Sequence, residues 1–205
     1  NKFTPFLLHG VTGSGKTEIY MQLISRTVEA GGTALLLVPE ISLTPQMTAH
    51  FRNRFGDNVA VLHSRLSDRE RNIHWNNIKS GKVSIAIGAR SAVFAPFENL
   101  RLIILDEEHE QSFKQFDNTP RYHARNVAIV LASFWGAKTL LGSATPSLES
   151  YSNALSGKYG LVKLTKRFED IKLPEIEVVD LQQSYKRKQM KGHFSFALLG
   201  NCART

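Results

Sequence analysis

The residues with the clearest chemical meaning lie near the start of the chain. Residues 10–17 read Gly-Val-Thr-Gly-Ser-Gly-Lys-Thr and fill every fixed position of the phosphate-binding pattern G-x-x-x-x-G-K-[ST]. Glycines in such a loop bring backbone N–H groups close to an anion, the lysine reaches the outer phosphates, and the final hydroxyl ligates Mg²⁺. We expect the Lys16 side chain to face solvent in the empty loop. The residues predicted to bind a nucleoside triphosphate are Gly13, Ser14, Gly15, Lys16 and Thr17.

A cluster of acidic residues follows an apolar segment further along the chain. Residues 106–109 read Asp-Glu-Glu-His directly after Leu-Ile-Ile-Leu at 102–105, which has the composition of a buried strand. Ligands of parallel sheets collect at the carboxyl ends of the strands, so we expect these carboxylates beside the phosphate loop. Asp106 is predicted to hold Mg²⁺ and Glu107 to orient and deprotonate an attacking water, with Lys16 as the second catalytic residue. A turn that only caps the strand is the alternative.

Hydroxyl-bearing residues form a third segment, which reads Gly-Ser-Ala-Thr-Pro-Ser at 142–147 after another apolar run. Ser143 and Thr145 are short enough to hydrogen-bond both the carboxylate cluster and a neighbouring loop. The segment is therefore predicted to sense whether a nucleotide is bound. N-capping of the following helix is a second role that is compatible with the first.

Aromatic and cationic residues are interleaved in the polar stretch 110–123. The stretch contains Phe113, Lys114, Phe116, Arg121 and Tyr122. Such rings stack on exposed bases while the cations meet phosphates, so Phe113 and Phe116 are predicted to contact nucleic acid. Burial of the rings against the protein core is the alternative, and we expect it for at least one of them.

The elements that must position these residues alternate between strand and helix. Strands are predicted at 6–9, 33–39, 59–62, 83–87, 102–105 and 138–141, and helices from 18 onward and at 45–55, 67–79, 123–134 and 147–155. This alternation predicts an α/β fold with a parallel sheet covered on both faces. Beyond residue 160, the runs 161–164 and 176–181 are predicted as edge strands and the basic run 186–191 as a solvated loop.

Composition restricts the class of protein. The 205 residues, 42% of them hydrophobic, suit one large domain or one domain with an appendage. A count of 26 Lys and Arg against 18 Asp and Glu gives a net charge of +8, which favours a polyanionic partner such as nucleic acid. The single cysteine excludes a disulfide framework and a cysteine-built zinc site in this chain and is typical of a reducing compartment. With no apolar run of membrane-spanning length, we predict a cytoplasmic protein that binds no membrane.

The order of the three motifs resembles that of superfamily 2 helicases, in which they lie in the first of two RecA-like lobes. Further segments, at 38–44, 63–64, 67–71, 88–94 and 106–110, are similar to those of bacterial replication-restart DNA helicases, and the resemblance extends over residues 6–168. It implies a P-loop NTPase fold of the RecA type, with a mostly parallel sheet and helices on both faces. It also implies ATP-driven movement, 3′ to 5′, on single-stranded DNA at stalled forks, with a part in primosome assembly.

Cofactors and partners follow from the same resemblance. The implied cofactors are ATP and Mg²⁺, without zinc in this chain. The implied partners are single-stranded or forked DNA, replication-restart proteins and a second helicase lobe of the same parent chain. By motif position Lys16 and Thr17 serve the nucleotide and the metal, Asp106 the metal and Glu107 hydrolysis. The residues in segments that resemble DNA-facing motifs are Ser42, Thr44, His63, Ser64, Arg90 and Ser91. The aromatic stretch resembles the loop that couples DNA binding to hydrolysis in these helicases.

The sequence also predicts how the chain divides into domains. Residues 1–165 are predicted to form the ATP-binding lobe, and residues 166–205 a C-terminal extension that either begins the link to the second lobe or is a non-native tail. Because no second set of motifs follows, we expect this chain alone to hydrolyse ATP weakly or not at all. A DEAD-box-like RNA helicase lobe and a non-catalytic DNA-binding module stay open as alternatives. A GTPase is disfavoured because the sequence lacks an Asn-Lys-x-Asp segment.

Overall fold

A single parallel sheet forms the centre of the protein. The computed structural model describes residues 3–116, 119–167 and 177–202. The strands are β1 Phe6–Gly10, β2 Thr33–Leu37, β3 Val59–Leu62, β4 Ile85–Gly88, β5 Leu100–Asp106, β6 Lys138–Ser143 and β7 Gly160–Leu164. These seven strands are hydrogen-bonded in the order β3-β4-β2-β5-β6-β1-β7, and each neighbouring pair is parallel. The predicted α/β fold is confirmed.

Helices supply the crossovers that parallel strands require. They are α1 Lys16–Glu29, α2 Pro45–Phe55, α3 Asp68–Lys79, α4 Ala124–Trp135 and α5 Leu148–Leu155. Three of them begin one residue later than the sequence predicted, because Ser67, His123 and Ser147 are N-caps whose side chains accept hydrogen bonds from the first turn. None of the helices in the described part of the chain is long and apolar enough to cross a membrane.

The hydrophobic core has two parts because both faces of the sheet are covered. Leu35 and Leu37 belong to one buried cluster and Leu36 to the other, since successive side chains of a strand point to opposite faces. The first cluster includes the alanines on the buried face of α4, and the second includes Tyr20, Met21 and Ile24 of α1. Helix α1 is thereby fixed against the strands that carry the predicted site.

A second, smaller unit follows the sheet. Contacts divide the chain into residues 1–170 and 171–205. The described residues of the second unit form α6 Leu181–Lys186, a hairpin of β8 Met190–Lys191 with β9 Phe194–Ser195, and α7 Phe196–Cys202.

Two predictions in this second unit need correction. Residues 177–180 have no regular structure and residue 181 starts a helix, so the strand predicted at 176–181 is wrong over these positions; residue 176 lies outside the described residues. The physical reason is Asp180, whose carboxylate accepts hydrogen bonds from the backbone N–H groups of Gln182 and Gln183 and so starts α6. The basic run 186–191 is not wholly a loop, because its first residue closes α6 and its last two form β8.

Candidate functional site

Three neighbouring strands bring the three sequence motifs to one edge of the sheet. β1 leads into the phosphate loop, β5 ends at Asp106, and β6 ends at Ser143. The pairing register places His9 opposite Ser143 and Asp106 opposite Gly142. Segments far apart in sequence therefore meet at the carboxyl ends of the strands, where ligands of such sheets bind.

The phosphate loop has the backbone geometry of an anion-binding turn. Gly13 and Gly15 have φ angles of 77° and 84°, which lie in the left-handed region that glycine adopts without strain. Helix α1 starts directly after them, and no side chain of the described residues caps its N-terminus. The buried Ser14 hydroxyl also lacks a hydrogen-bond partner among the described residues. Free N–H groups, a helix N-terminus and an unpartnered hydroxyl together suit a phosphate.

Lys16 does not face solvent, and the expectation that it would is wrong. Its side chain is 10% exposed. The ammonium donates a hydrogen bond to the Gly10 carbonyl oxygen at 2.9 Å and lies 4.0 Å from Glu107 Oε1. These oxygens are acceptors close to the ammonium, so the side chain folds back onto the loop. The ammonium has three N–H donors and uses one of them on Gly10, so further donors remain for a phosphate oxygen.

Asp106 has a partner that sequence reasoning missed. The hydroxyl of Tyr20, a residue with 1% exposure on α1, donates a hydrogen bond to Asp106 Oδ1 at 2.8 Å. Burial raises the pKa of the Asp106 carboxyl above its ordinary value, although the hydrogen bond from Tyr20 opposes that shift. Burial and the neighbouring Asp106 charge raise the pKa of Tyr20 above its usual range, so the phenol stays a donor. The available sequence signal was the position of Tyr20 three residues after Thr17, on the buried side of the helix.

Glu107 stands between the phosphate loop and the hydroxyl segment. Its φ angle is 47°, a left-handed conformation that is uncommon for a residue other than glycine. Its carboxylate lies 3.6 Å from His109 Nδ1 and accepts a long hydrogen bond of 3.5 Å from the Ser143 hydroxyl. Ser143 Oγ is also 2.8 Å from His109 Nδ1 and accepts from the Thr145 backbone N–H. The prediction that the hydroxyl segment bonds to the carboxylate cluster is confirmed.

Residues 106–109, which we call the acidic turn, include a third carboxylate, Glu108, to which the sequence analysis gives no role. Glu108 has more hydrogen bonds than the other carboxylates of the acidic turn. It is fully buried and accepts from Arg125 Nη1 at 2.7 Å, the Ser147 backbone N–H at 2.8 Å and the Ser150 hydroxyl at 2.8 Å. Burial by itself would raise the pKa of Glu108, but the hydrogen bonds from Arg125, Ser147 and Ser150 outweigh it and hold the pKa below the ordinary value.

The residues predicted to face DNA are divided between two places, the first of which lies around α2. Thr44 caps α2 by accepting from the Met47 backbone N–H at 3.2 Å, and it lines an open cavity of about 800 Å³ together with His63. Ser42 ends a short 3-10 turn, residues 40–42, and Ser64 donates a hydrogen bond to Glu40 from its hydroxyl. These contacts leave the DNA role of the four residues as a prediction.

The second place is the turn that follows β4. Arg90 and Ser91 start a 3-10 turn that ends at Phe94. Arg90 Nη1 donates to the backbone carbonyl oxygens of Lys114 at 3.0 Å and Ser112 at 3.4 Å. Arg90 therefore joins this turn to the aromatic stretch, while the side chain of Ser91 is exposed.

The three aromatic rings of the stretch 110–123 have different surroundings. Phe113 has no exposed surface, so the prediction that it stacks on DNA needs correction: its ring fills the core instead. Phe116 is 51% exposed, and the Lys114 ammonium lies 4.7 Å from the centre of its ring. Tyr122 packs edge-on against Phe94 with ring centres 5.0 Å apart. Of the two rings predicted to bind DNA, only Phe116 has a free face in the described structure.

The two residues predicted to hold the metal ion, Thr17 and Asp106, are not part of a ready-made cluster of ligands in the described structure. Among the described residues no group of three or more His, Cys, Asp and Glu side chains is placed to hold a metal ion. Thr17 is exposed and Asp106 half-buried at the same edge of the sheet. A divalent cation here would need ligands from a bound phosphate as well as from the protein.

Comparison with known proteins agrees with this geometry. Residues 4–154 match the DEAD/DEAH box helicase family. The chain belongs to this helicase family. Its name spells an acidic motif of Asp-Glu-Ala-Asp or Asp-Glu-Ala-His, whereas this chain has Asp-Glu-Glu-His at 106–109.

Matches to individual proteins are more specific than the match to the helicase family. The chain is 50% identical to the replication restart protein PriA of Bacillus subtilis over 200 residues, which are 98% of this chain and 25% of the relative. It is 53% identical to PriA of Haemophilus influenzae over 165 residues, 80% of this chain and 22% of that protein. The chain thus spans about a quarter of the length of the curated relatives that it matches. A structure of RecG bound to a three-way DNA junction aligns with 25% identity and a TM-score of 0.60, covering 83% of this chain and 22% of RecG.

Proposed function

We propose that this chain is the ATP-binding lobe of an ATP-dependent DNA helicase, which moves 3′ to 5′ and acts at stalled replication forks in replication restart and primosome assembly. The observation that carries the proposal is the meeting of the phosphate loop with the acidic turn, where Lys16 Nζ lies 4.0 Å from Glu107 Oε1. The 50% identity to a replication restart protein over 98% of the chain supports the biological setting.

In this proposal the loop residues hold the triphosphate of ATP. Lys16 donates a hydrogen bond to a phosphate oxygen, and the N–H groups at the start of α1 point at the same anion. Thr17 and Asp106 would hold Mg²⁺, which would supply positive charge against the outer phosphates. Glu107 orients the attacking water and accepts its proton at a carboxylate oxygen.

DNA is proposed to lie along the carboxyl-end edge of the sheet. The residues assigned to this surface are Ser42, Thr44, His63, Ser64, Arg90, Ser91 and Phe116. Polar loops and an occasional cation suffice for a motor that grips the phosphate backbone instead of reading bases, and the net charge of +8 supports such a partner. Other replication-restart proteins and a second helicase lobe are the expected protein partners, in the cytoplasm.

The proposal is tested by ATP hydrolysis of the full-length protein with forked DNA, single-stranded DNA or RNA added. We expect stimulation by DNA that is lost in Glu107→Gln, while the affinity for a fluorescent ADP analogue stays within twofold. Glu98→Gln, a change at an exposed glutamate, is the matched control. Stimulation by RNA alone would favour an RNA helicase. DNA binding that persists without hydrolysis in the unmodified protein would favour a non-catalytic binding module.

A further inference from the structure

Glu108 occupies the position at which this chain departs from the motif in its family's name. That name has alanine as the third letter of the acidic motif, whereas this chain has glutamate. An alanine side chain forms no hydrogen bonds, whereas a buried carboxylate is costly unless it is fully paired. The Glu108 carboxylate therefore needs hydrogen-bond donors around it.

Both oxygens of the Glu108 carboxylate are used, and the donors come from three separate elements. Oε1 accepts from the Ser147 backbone N–H at 2.8 Å. Oε2 accepts from Arg125 Nη1 at 2.7 Å, from the Ser147 hydroxyl at 3.1 Å and from the Ser150 hydroxyl at 2.8 Å. Arg125 lies in the first turn of α4, Ser147 ends the hydroxyl segment and Ser150 lies in α5. One side chain thus ties the acidic turn to two helices and a loop.

The backbone of the acidic turn depends on this attachment. Glu107 has a φ angle of 47°, which a residue other than glycine keeps only where its surroundings hold it. Asp106, before it, is fixed in the ladder of β5 with β6. Glu108, after it, is fixed by its carboxylate and by its backbone N–H, which donates to the Gly142 carbonyl oxygen at 3.0 Å.

The side chain of Glu107 is held less firmly than its backbone. Its carboxylate is 32% exposed, and its contacts with Lys16, His109 and Ser143 measure 4.0, 3.6 and 3.5 Å. These distances are long for hydrogen bonds. The direction of the Glu107 carboxylate is therefore set mainly by the residues on either side of it, and Glu108 supplies the stronger attachment.

We propose that Glu108 is a positioning residue for ATP hydrolysis, which holds the acidic turn against α4, α5 and the hydroxyl segment so that Glu107 faces the phosphate loop. This inference rests on the proposed function. The competing account is that Glu108 only neutralises Arg125, whose side chain is 11% exposed and which would be a costly unpaired cation without it.

A double variant separates the two accounts. Glu108→Ala with Arg125→Met in the full-length protein removes both charges, so no unpaired ion is left. We expect the double variant to fold with a melting temperature lowered by several degrees, because Ser147 and Ser150 lose their buried acceptor. We expect it to bind a fluorescent ADP analogue within twofold of the unmodified protein. For DNA-stimulated hydrolysis we expect a kcat at least tenfold lower with a KM for ATP within twofold. A kcat within twofold of the unmodified value in the folded double variant would overturn the proposal.

Glu108→Gln is the second variant and keeps the length and one acceptor oxygen of the side chain. We expect its kcat to fall at least threefold while the affinity for nucleotide stays unchanged. If the double variant does not fold, an unchanged kcat in Glu108→Gln would overturn the proposal. Glu149→Gln, an exposed change on α5, is the matched control and should keep full activity. If the unmodified protein hydrolyses no ATP with any nucleic acid, the proposed function itself fails. If the unmodified protein and the Glu108 variants are equally active, only the positioning role of Glu108 fails.

Discussion

The Tyr20 hydroxyl donates a 2.8 Å hydrogen bond to Asp106 Oδ1 and so connects the helix that follows the phosphate loop to the acidic turn. The two residues are 86 positions apart in sequence. The contact orients the carboxylate proposed to hold Mg²⁺, because burial raises the pKa of Tyr20, so the phenol keeps the proton that it donates to Asp106.

Tyr20→Phe tests this contact. The substitution leaves the half-buried Asp106 carboxylate without its donor, and a hydrogen bond to a charged group contributes about 1.5–3 kcal/mol. We expect the free energy of unfolding in urea to fall by about that amount and the affinity for Mg²⁺ with ADP to weaken. Tyr159→Phe removes a hydroxyl from another tyrosine at the edge of the core and serves as the control. Equal losses in the two variants would contradict the assigned role.

Gly142 is required by the same contact, which gives a second prediction. A Cβ atom at Gly142 would lie 1.8 Å from the Tyr20 hydroxyl oxygen and 2.8 Å from the adjacent ring carbon. Gly142→Ala should therefore displace the ring and destabilise the protein by about 1–3 kcal/mol, as overpacking does. Because the hydroxyl is the closest atom, Tyr20→Phe combined with Gly142→Ala should cost less than the sum of the two single losses. Strict additivity in urea unfolding would show that the Tyr20 hydroxyl is not what the new methyl group meets.

The sequence was sufficient to predict the sheet and the meeting of its motifs. Apolar runs followed by Gly10, Asp106 and Ser143 mark strand ends, and parallel strands bring such ends to one edge. The order of the strands across the sheet and the partners of Tyr20 and Glu108 were not predictable, because these depend on which helix covers which strand. A single residue at helical spacing gives no sign of a partner far along the chain.

Two of the errors made from sequence, those at Phe113 and Lys16, have a common physical origin. Phe113 was assigned to DNA and lies in the core, and Lys16 was assigned to solvent and lies against Gly10 and Glu107. In both cases the residue type permits either environment, since an aromatic ring suits a core as well as a base and a lysine reaches carbonyl groups as well as water. Only tertiary structure decides between such environments.

The position of Lys16 leads to a third prediction. Lys16→Ala removes the ammonium that would meet the outer phosphates. In the protein without nucleotide it removes a charge-assisted hydrogen bond to the Gly10 carbonyl and a 4.0 Å contact with Glu107, which together cost about 1.5–3 kcal/mol. We expect the affinity for a fluorescent ADP or ATP analogue to fall at least tenfold while the melting temperature changes by a few degrees. Lys79→Ala, at the exposed end of α3, controls for loss of charge. A nucleotide affinity unchanged by Lys16→Ala would remove this loop from the binding site.

Arg90 gives a fourth prediction, about the aromatic stretch. Its guanidinium donates to the carbonyl oxygens of Ser112 and Lys114, so Arg90→Met should release the start of the stretch from the turn after β4. We expect faster amide hydrogen exchange in a peptide covering residues 110–116, with exchange in β5 unchanged. Arg71→Met, an exposed change on α3, should alter neither region. If exchange in 110–116 stays as slow as in the unmodified protein, the stretch is held by Phe113 instead.

The N-terminus of α3 provides a prediction on pH. Ser67 and Glu70 form a reciprocal capping box, and hydrogen bonds from the Ser67 hydroxyl and backbone N–H hold the pKa of Glu70 below its ordinary value of 4.5. A lowered carboxyl pKa means that the ionised form is favoured by folding, so the contribution of the cap is complete above pH 4.5 and is lost as the pH falls through the lower, folded value. Ser67→Ala removes one of the two donors, and we expect the Glu70 carboxyl resonance in an NMR titration to move toward 4.5. The pKa of Glu18, which a hydrogen bond from Arg54 lowers, should not move. A Glu70 titration that is the same with and without the Ser67 hydroxyl would mean that the backbone N–H alone sets its pKa.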